Sequence, residues 1–218
     1  VLKPTGSFVL NLWPHTEDKG QFRGEASTYV MDLVIALRES GWRLLETYIW
    51  RKTTTVPGRA TNKLKSGWEP FYHLAKRTRI KFCPDQVMRP AKPSSVARAN
   101  RLNGKDFTRR TSETGSGFSV DVSKATKSYA NGGLVLPDNV IECSPETRPY
   151  GNDHDSVYPE ALPSFFINLL TRKGDVVLDP FSGSGTTAFV AQQLGRQYIA
   201  IDKEAKNVGL IQERLSAR

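Results

Sequence analysis

Asp175-Val176-Val177-Leu178 runs into Asp179-Pro180-Phe181-Ser182-Gly183-Ser184-Gly185-Thr186-Thr187 and then into Ala188-Phe189-Val190-Ala191-Gln192-Gln193-Leu194-Gly195. The order is an apolar strand, a turn made of glycines, and a helical pattern. Gly183 and Gly185 can take positive φ and carry no Cβ, so a ligand can lie directly against their backbone. The helix that follows offers unpaired N–H groups and the positive end of its dipole. Thr186 and Thr187 add hydroxyl donors at that end. The next strand, Gln197-Tyr198-Ile199-Ala200-Ile201-Asp202, closes on an acid 17 residues beyond Gly185. A carboxylate there can accept both ribose hydroxyls of an adenosine-containing cofactor, or it can cap the last helix. Asp-Pro-Phe ahead of the glycines is not the Gly-x-Gly-x-x-Gly of dinucleotide enzymes, which argues against nicotinamide chemistry.

Working outward, Val140 to Arg218 reads as α/β. It has a short helix over Pro163 to Leu170, the Val176 strand, the glycine turn with its helix, the strand ending at Asp202, and a final helix from about Ala205 to Leu215. Val1 to Lys76 alternates in the same way. Gly6 to Trp13 is a buried-strand run. Glu25 to Ser40 places Val30, Leu33, Val34 and Leu37 on one helix face, with Gly41 as its C-terminal cap. Trp42 to Trp50 and Glu69 to Ala75 read as strands around the turn-rich Thr53 to Gly67. Arg77 to Asn139 is different: rich in Pro, Ser, Thr, Gly and Arg, with little periodicity, it reads as an irregular insertion. The expected division is therefore 1–76, 77–139 and 140–218, two halves of one layered α/β sheet around an insertion.

The chain has 218 residues, 38% hydrophobic and 24% charged, with a net charge of +9. From Lys76 to Arg110 eleven basic residues stand against Asp85 and Asp106, an excess equal to the whole net charge. Such a window reads as a polyanion footprint, with a solvated loop as the alternative. The basic residues taken as DNA-binding candidates are Lys76, Arg77, Arg79, Lys81, Arg89, Arg98, Arg101, Lys105, Arg109 and Arg110. No apolar stretch reaches the roughly 18 residues that span a bilayer, and no signal pattern opens the chain, so no membrane partner is expected. Cys83 and Cys143 stand far apart, which fits a reducing cytosol and speaks against a disulfide framework or a zinc site.

The nine residues from Asp179 to Thr187 resemble the cofactor motif of S-adenosylmethionine-dependent DNA amino-methyltransferases, in the permuted group where the catalytic motif precedes the cofactor motif. Further blocks are similar to that group. His154-Asp155-Ser156-Val157-Tyr158-Pro159-Glu160-Ala161-Leu162-Pro163 resembles its His-x-Ala-x-Phe-Pro-x-x-Leu-Pro block. Leu2-Lys3-Pro4-Thr5-Gly6-Ser7 resembles its strand entry, and Trp50-Arg51-Lys52 with Pro57 resembles its Trp-x-Lys…Pro segment. Gly132 to Val140 and Leu162 to Ile167 lean towards members that methylate the cytosine amine. The family's Ser-Pro-Pro-Tyr or Asp-Pro-Pro-Tyr tetrad does not occur in these 218 residues. The permuted order places it upstream of Val1, so no catalytic residue is assigned within this chain. Ser144-Pro145-Glu146-Thr147-Arg148-Pro149-Tyr150 has the right letters at the wrong spacing and reads as a loop.

The resemblance implies a Rossmann-like methyltransferase sheet, doubly wound and mostly parallel with an antiparallel hairpin edge. It implies S-adenosylmethionine as cofactor, no metal, and methyl transfer to the cytosine N4 amine of double-stranded DNA, with the adenine N6 amine or a non-catalytic cofactor- and DNA-binding subunit as alternatives. A restriction-modification setting in a prokaryotic or phage cytoplasm follows, with a homodimer or a complementing N-terminal fragment as protein partner. The implied cofactor residues are His154, Tyr158, Pro159, Asp179, Pro180, Phe181, Gly183, Ser184, Gly185, Thr186, Thr187 and Asp202. A lone histidine usually caps or packs, but with Tyr158-Pro159 following in register His154 reads as a pocket residue; the Phe181 ring could wall the pocket or fill the core. Lys52 is a further DNA candidate, while Trp50 could reach DNA or be plain core. The segment 77–139 is expected to read the target sequence.

Overall fold

The computed structural model describes residues 2–55, 64–101, 133–146 and 158–216. It divides into two compact units, one formed by residues up to Cys83 together with those from Asp138 onward, the other by Pro84–Pro137.

The first unit opens with β1 (Ser7–Asn11), α1 (Tyr29–Glu39), β2 (Arg43–Lys52) and β3 (Trp68–Ala75). β1 and β2 both pair antiparallel with β3, Ser7 opposite Ala75 and Ile49 opposite Pro70. A later strand, Val140–Cys143, adds itself parallel to β2, with Trp50 opposite Ile141. The four-stranded order is therefore β1-β3-β2-(140–143). Along β2 and β3 the buried residues include Tyr48, Trp50, Phe71 and Leu74. The helix expected from Glu25 begins only at Tyr29. Before it, Gly24 has φ +89° and Ala26 bridges Thr16, so the chain is committed to a turn. Its buried stripe is Val30 and Val34. At its end Trp42 N–H donates to Leu37 O and Gly41 N–H to Arg38 O, with Gly41 at φ +97°. That is the Schellman closure anticipated at Gly41.

In the second unit, β4 (Arg89–Pro90) is followed by α2 (Pro93–Arg101), and β4 pairs antiparallel with β5 (Leu134–Val135). The strand that pairs with β2 is then β6 (Val140–Cys143), back in the first unit.

The first unit continues with α3 (Ala161–Leu170), β7 (Val176–Asp179), α4 (Thr186–Gln193), β8 (Gln197–Ala200) and α5 (Ala205–Ser216). α3 is apolar nearly all round because it is sandwiched. Phe166 meets Tyr48 edge-on at 5.2 Å and Phe71 at 5.1 Å on the four-stranded sheet. Ile167 packs with Val190 and Ala191 of α4 on its other side. β7 and β8 are parallel, in register from Val176 opposite Gln197 to Asp179 opposite Ala200, with α4 as the crossover. Among the described residues this pair and the four-stranded sheet are hydrogen-bonded separately; β1, β3 and β2 pair antiparallel, while β2 with β6 and β7 with β8 pair parallel. Lys81 joins the two parts of the unit: its N–H donates to Thr5 O at 2.9 Å, and its ammonium grips both Asp175 oxygens at 2.6 and 2.7 Å.

Candidate functional site

The strand–turn–helix run places the glycine turn at the C-terminal end of β7. Gly183 has φ +51° and Gly185 φ +80°, conformations that a side chain strains. The two glycines are needed for different reasons. A Cβ on Gly185 would come within 3.0 and 3.3 Å of the Ile211 side chain on α5, so that glycine lets the turn and the last helix touch. A Cβ on Gly183 would meet nothing within 4 Å among the described residues. The open side of the turn is therefore at Gly183, where a ligand can approach backbone.

The turn is stapled from behind by side chains. Ser182, buried, donates from Oγ to Asp179 O at 2.8 Å and accepts the Ile201 N–H at 3.1 Å. Asp179 accepts the Phe181 N–H at 3.0 Å on one oxygen and the Thr187 hydroxyl at 2.5 Å on the other. The Tyr158 hydroxyl lies 3.5 Å from that second oxygen and in close contact with Thr187 Oγ1. Burial, then the Asp179 charge, hold the Tyr158 hydroxyl far above its ordinary titration range, so it stays protonated. Asp202 accepts the Gly183 N–H at 2.8 Å on one oxygen, and the Glu204 N–H and Asn207 Nδ2, each at 2.9 Å, on the other. The helix-cap reading of Asp202 is thus partly realised, since it orders the entry to α5. Its other oxygen faces the glycine turn.

These contacts revise how the turn would meet a ligand. The Gly183 amide is engaged by Asp202, and the Gly185 amide donates to Ser182 O at 2.7 Å. The Thr187 hydroxyl goes to Asp179, and the Thr186 hydroxyl accepts from Arg214 at 3.0 Å. Both hydroxyls are thus engaged within the fold, Thr187 by Asp179 and Tyr158 and Thr186 by Arg214. What remains are the N–H groups of Ser184, Thr186 and Thr187, which meet no acceptor among the described residues. They are the first donors of α4, carrying its positive end. Pro180 is exposed and Pro159 buried. Phe181 is 87% exposed, which removes its core reading. His154 lies outside the described residues.

Of the basic candidates, Lys76, Arg77 and Arg79 are exposed, Lys76 touching Leu2 O at 3.0 Å, and Lys81 is held by Asp175. Lys81 in turn keeps the Asp175 carboxyl below its ordinary range. Arg89 is exposed on β4 of the second unit. Of Arg98 and Arg101 only the backbone, on α2, is described, while Lys105, Arg109 and Arg110 lie outside the described residues, as does Pro57. Lys52 is largely covered, paired with Glu69 at 2.6 Å and seated 5.0 Å over the Trp50 ring. Trp50 is core: it is 4% exposed and donates from Nε1 to Cys143 O at 3.0 Å. Ser144 meets the Thr53 hydroxyl at 2.7 Å, and residues 147–150 of that loop are outside the described range. Among the described residues no group of three or more His, Cys, Asp or Glu could hold a metal ion.

Sequence reasoning missed Glu160 and Arg214. The signal was present: Asn207, Ile211 and Arg214 recur at helical spacing on one face of α5, and that face is buried. A charge on a buried stripe marks a specific partner.

The family described as DNA methylase, of the N6 and N4 methyltransferase type, matches residues 1–213. The chain is 24% identical over 186 residues to the Type II methyltransferase M.SmaI of Serratia marcescens, covering 85% of this chain and 51% of that protein. It therefore spans about half the length of that relative. Among solved structures, PvuII DNA methyltransferase (cytosine-N4-specific) superposes with a TM-score of 0.67 at 21% identity, over 98% of this chain and 64% of that one. M1.HpyAVI in its complex with SAM superposes with a TM-score of 0.55 at 19% identity, over 98% and 76%. The fold is accordingly the Rossmann-like methyltransferase fold, and with its family matched along nearly its whole length, the chain belongs to the N6/N4 DNA methylases.

Proposed function

We propose that this chain is the cofactor- and DNA-binding body of a DNA methyltransferase that uses S-adenosylmethionine and directs its methyl group to the N4 amine of cytosine in duplex DNA. The observation that carries the reading is the open side of the glycine turn. Among the described residues it has space beside Gly183 and no acceptor for the amides of Ser184, Thr186 and Thr187, with the Asp202 carboxylate pinned at its rim. These residues fit an adenosyl amino acid. The amides suit an anionic or carbonyl oxygen, Asp202 suits ribose hydroxyls, and Phe181 gives an exposed ring for an apolar or π face. His154 is assigned to the same pocket on the strength of its sequence block.

Bound there, the cofactor would supply an electrophilic methyl group on a sulfonium. The work of this chain's residues is to bind and orient it, since transfer to an amine depends on positioning and electrostatics rather than on a metal. The acceptors that draw the amine hydrogens would come from a (Ser/Asp)-Pro-Pro-Tyr tetrad outside these 218 residues, on a contiguous segment or a complementing chain. The target base leaves the duplex for this chemistry, at a cost of a few kcal/mol. Arg77, Arg79 and the basic residues of 84–137 would hold phosphates, and segment 77–139 would read base edges. The choice of cytosine is supported by the Gly132–Val140 and Leu162–Ile167 resemblances and by the cytosine-N4 specificity of the PvuII enzyme.

Calorimetric titration of S-adenosylmethionine into the chain tests the reading. Saturable binding is expected, weakened roughly tenfold or more by Asp202→Ala, the scale of a lost hydrogen bond to a charged group. An Asp202→Ala protein that folds and binds as the parent does would contradict it.

A further inference from the structure

The last helix meets the cofactor turn through a buried cation. Arg214 is 5% exposed, and its guanidinium lies 5.0 Å over the Phe189 ring of α4. One terminal nitrogen donates to Thr186 Oγ1 at 3.0 Å, the other to Glu160 Oε1 at 2.7 Å. Thr186 is the first residue of α4 and is itself 4% exposed. Glu160 stands at the N-cap of α3, two residues beyond Tyr158, whose hydroxyl reaches the Asp179–Thr187 pair. One planar fork thus ties α5 to both segments that frame the turn. A turn earlier on α5, Ile211 presses on Gly185.

Stability alone does not explain this choice. A buried guanidinium is expensive to desolvate, its partner Glu160 is 49% exposed, and an apolar residue would fill the same stripe at lower cost. The cation also sits under a helix N-terminus, where the dipole repels it. What the guanidinium gives in return is two fixed bond directions. We propose that Arg214 is a positioning residue: it fixes the rotation of the first turn of α4, and so the aim of the Ser184, Thr186 and Thr187 amides at the cofactor. The proposal rests on the S-adenosylmethionine reading of the turn.

The test is the dissociation constant for S-adenosylmethionine, measured well below each protein's Tm, for the parent chain and for Arg214→Met, Arg214→Lys, Thr186→Val and the Arg214→Met/Thr186→Val double variant. Positioning predicts about tenfold or greater weakening for Arg214→Met, partial recovery with Arg214→Lys, and a double variant no worse than Arg214→Met, because both changes break one link. Thr186→Val leaves the Arg214–Glu160 pair in place, so it tests the link even if Arg214→Met does not fold. Folded Arg214→Met or Thr186→Val proteins that lower Tm but bind within twofold of the parent would overturn the proposal. A parent chain that binds no S-adenosylmethionine would instead overturn the underlying reading, which separates the two failures.

Discussion

At the scale of single residues, the two glycines of the turn are not equivalent. Gly183→Ala meets only the backbone penalty of a left-handed φ, about 1–2 kcal/mol. Gly185→Ala adds a collision with the Ile211 γ carbons, so it should destabilise more in urea unfolding, and in an Ile211→Ala background, which lacks those carbons, the excess should shrink. Equal losses would contradict the packing account. His73 gives a pH prediction. It is 1% exposed, meets Ser7 Oγ at 2.9 Å, and burial pushes its titration below the ordinary value of 6.5 against a smaller opposing pull from Glu46. The unfolded chain therefore takes up the proton first as pH falls. Stability contributed by the neutral ring is complete above about pH 6.5 and declines below it. Asp175, whose carboxyl is depressed by Lys81, keeps its stabilising contribution in full above its ordinary 3.8 and loses it only as pH falls beneath that value. Thermal melts between pH 7.5 and 5 should show a falling Tm that His73→Gln flattens; an unchanged slope in that variant would sink this assignment.

At the scale of elements, most of the helices and strands were legible because each carries its own signal. The apolar spacing of α1 begins at Val30, and the structure starts the helix at Tyr29; the extra turn read from Glu25 had no apolar phase behind it. Gly41 and Gly195 both close helices through the same pair of bonds, Trp42 to Leu37 and Arg196 to Ala191 among them. Gly41→Ala should thus cost about 1–2 kcal/mol in thermal or urea unfolding, the penalty of a left-handed φ, and no loss would mean the cap is dispensable. What sequence could not give was which donors the turn keeps for a ligand. The inward rotation of the Thr186 and Thr187 hydroxyls depends on Arg214 and Asp179, partners set by tertiary packing rather than by spacing. Trp50 belongs here too: its burial follows from a bond to Cys143 on a strand 93 positions away in the chain.

At the scale of the whole chain, the charge excess of residues 76–110 was visible by counting, while its use depends on side-chain partners. Lys81 and Lys52 are drawn into ion pairs, leaving Arg77 and Arg79 as exposed cations next to the four-stranded sheet. DNA affinity should therefore fall steeply with salt, as several phosphates are neutralised. A flat response in a salt series would remove the basic window as the contact surface. The central claim is narrower and sits at the turn. It is tested most directly by following the backbone amide resonances of the labelled chain as S-adenosylmethionine is added. The Ser184, Thr186 and Thr187 resonances should shift together and saturate, with smaller changes at Gly183 and Gly185, whose amides are already engaged. Saturation elsewhere with those three unmoved would contradict it.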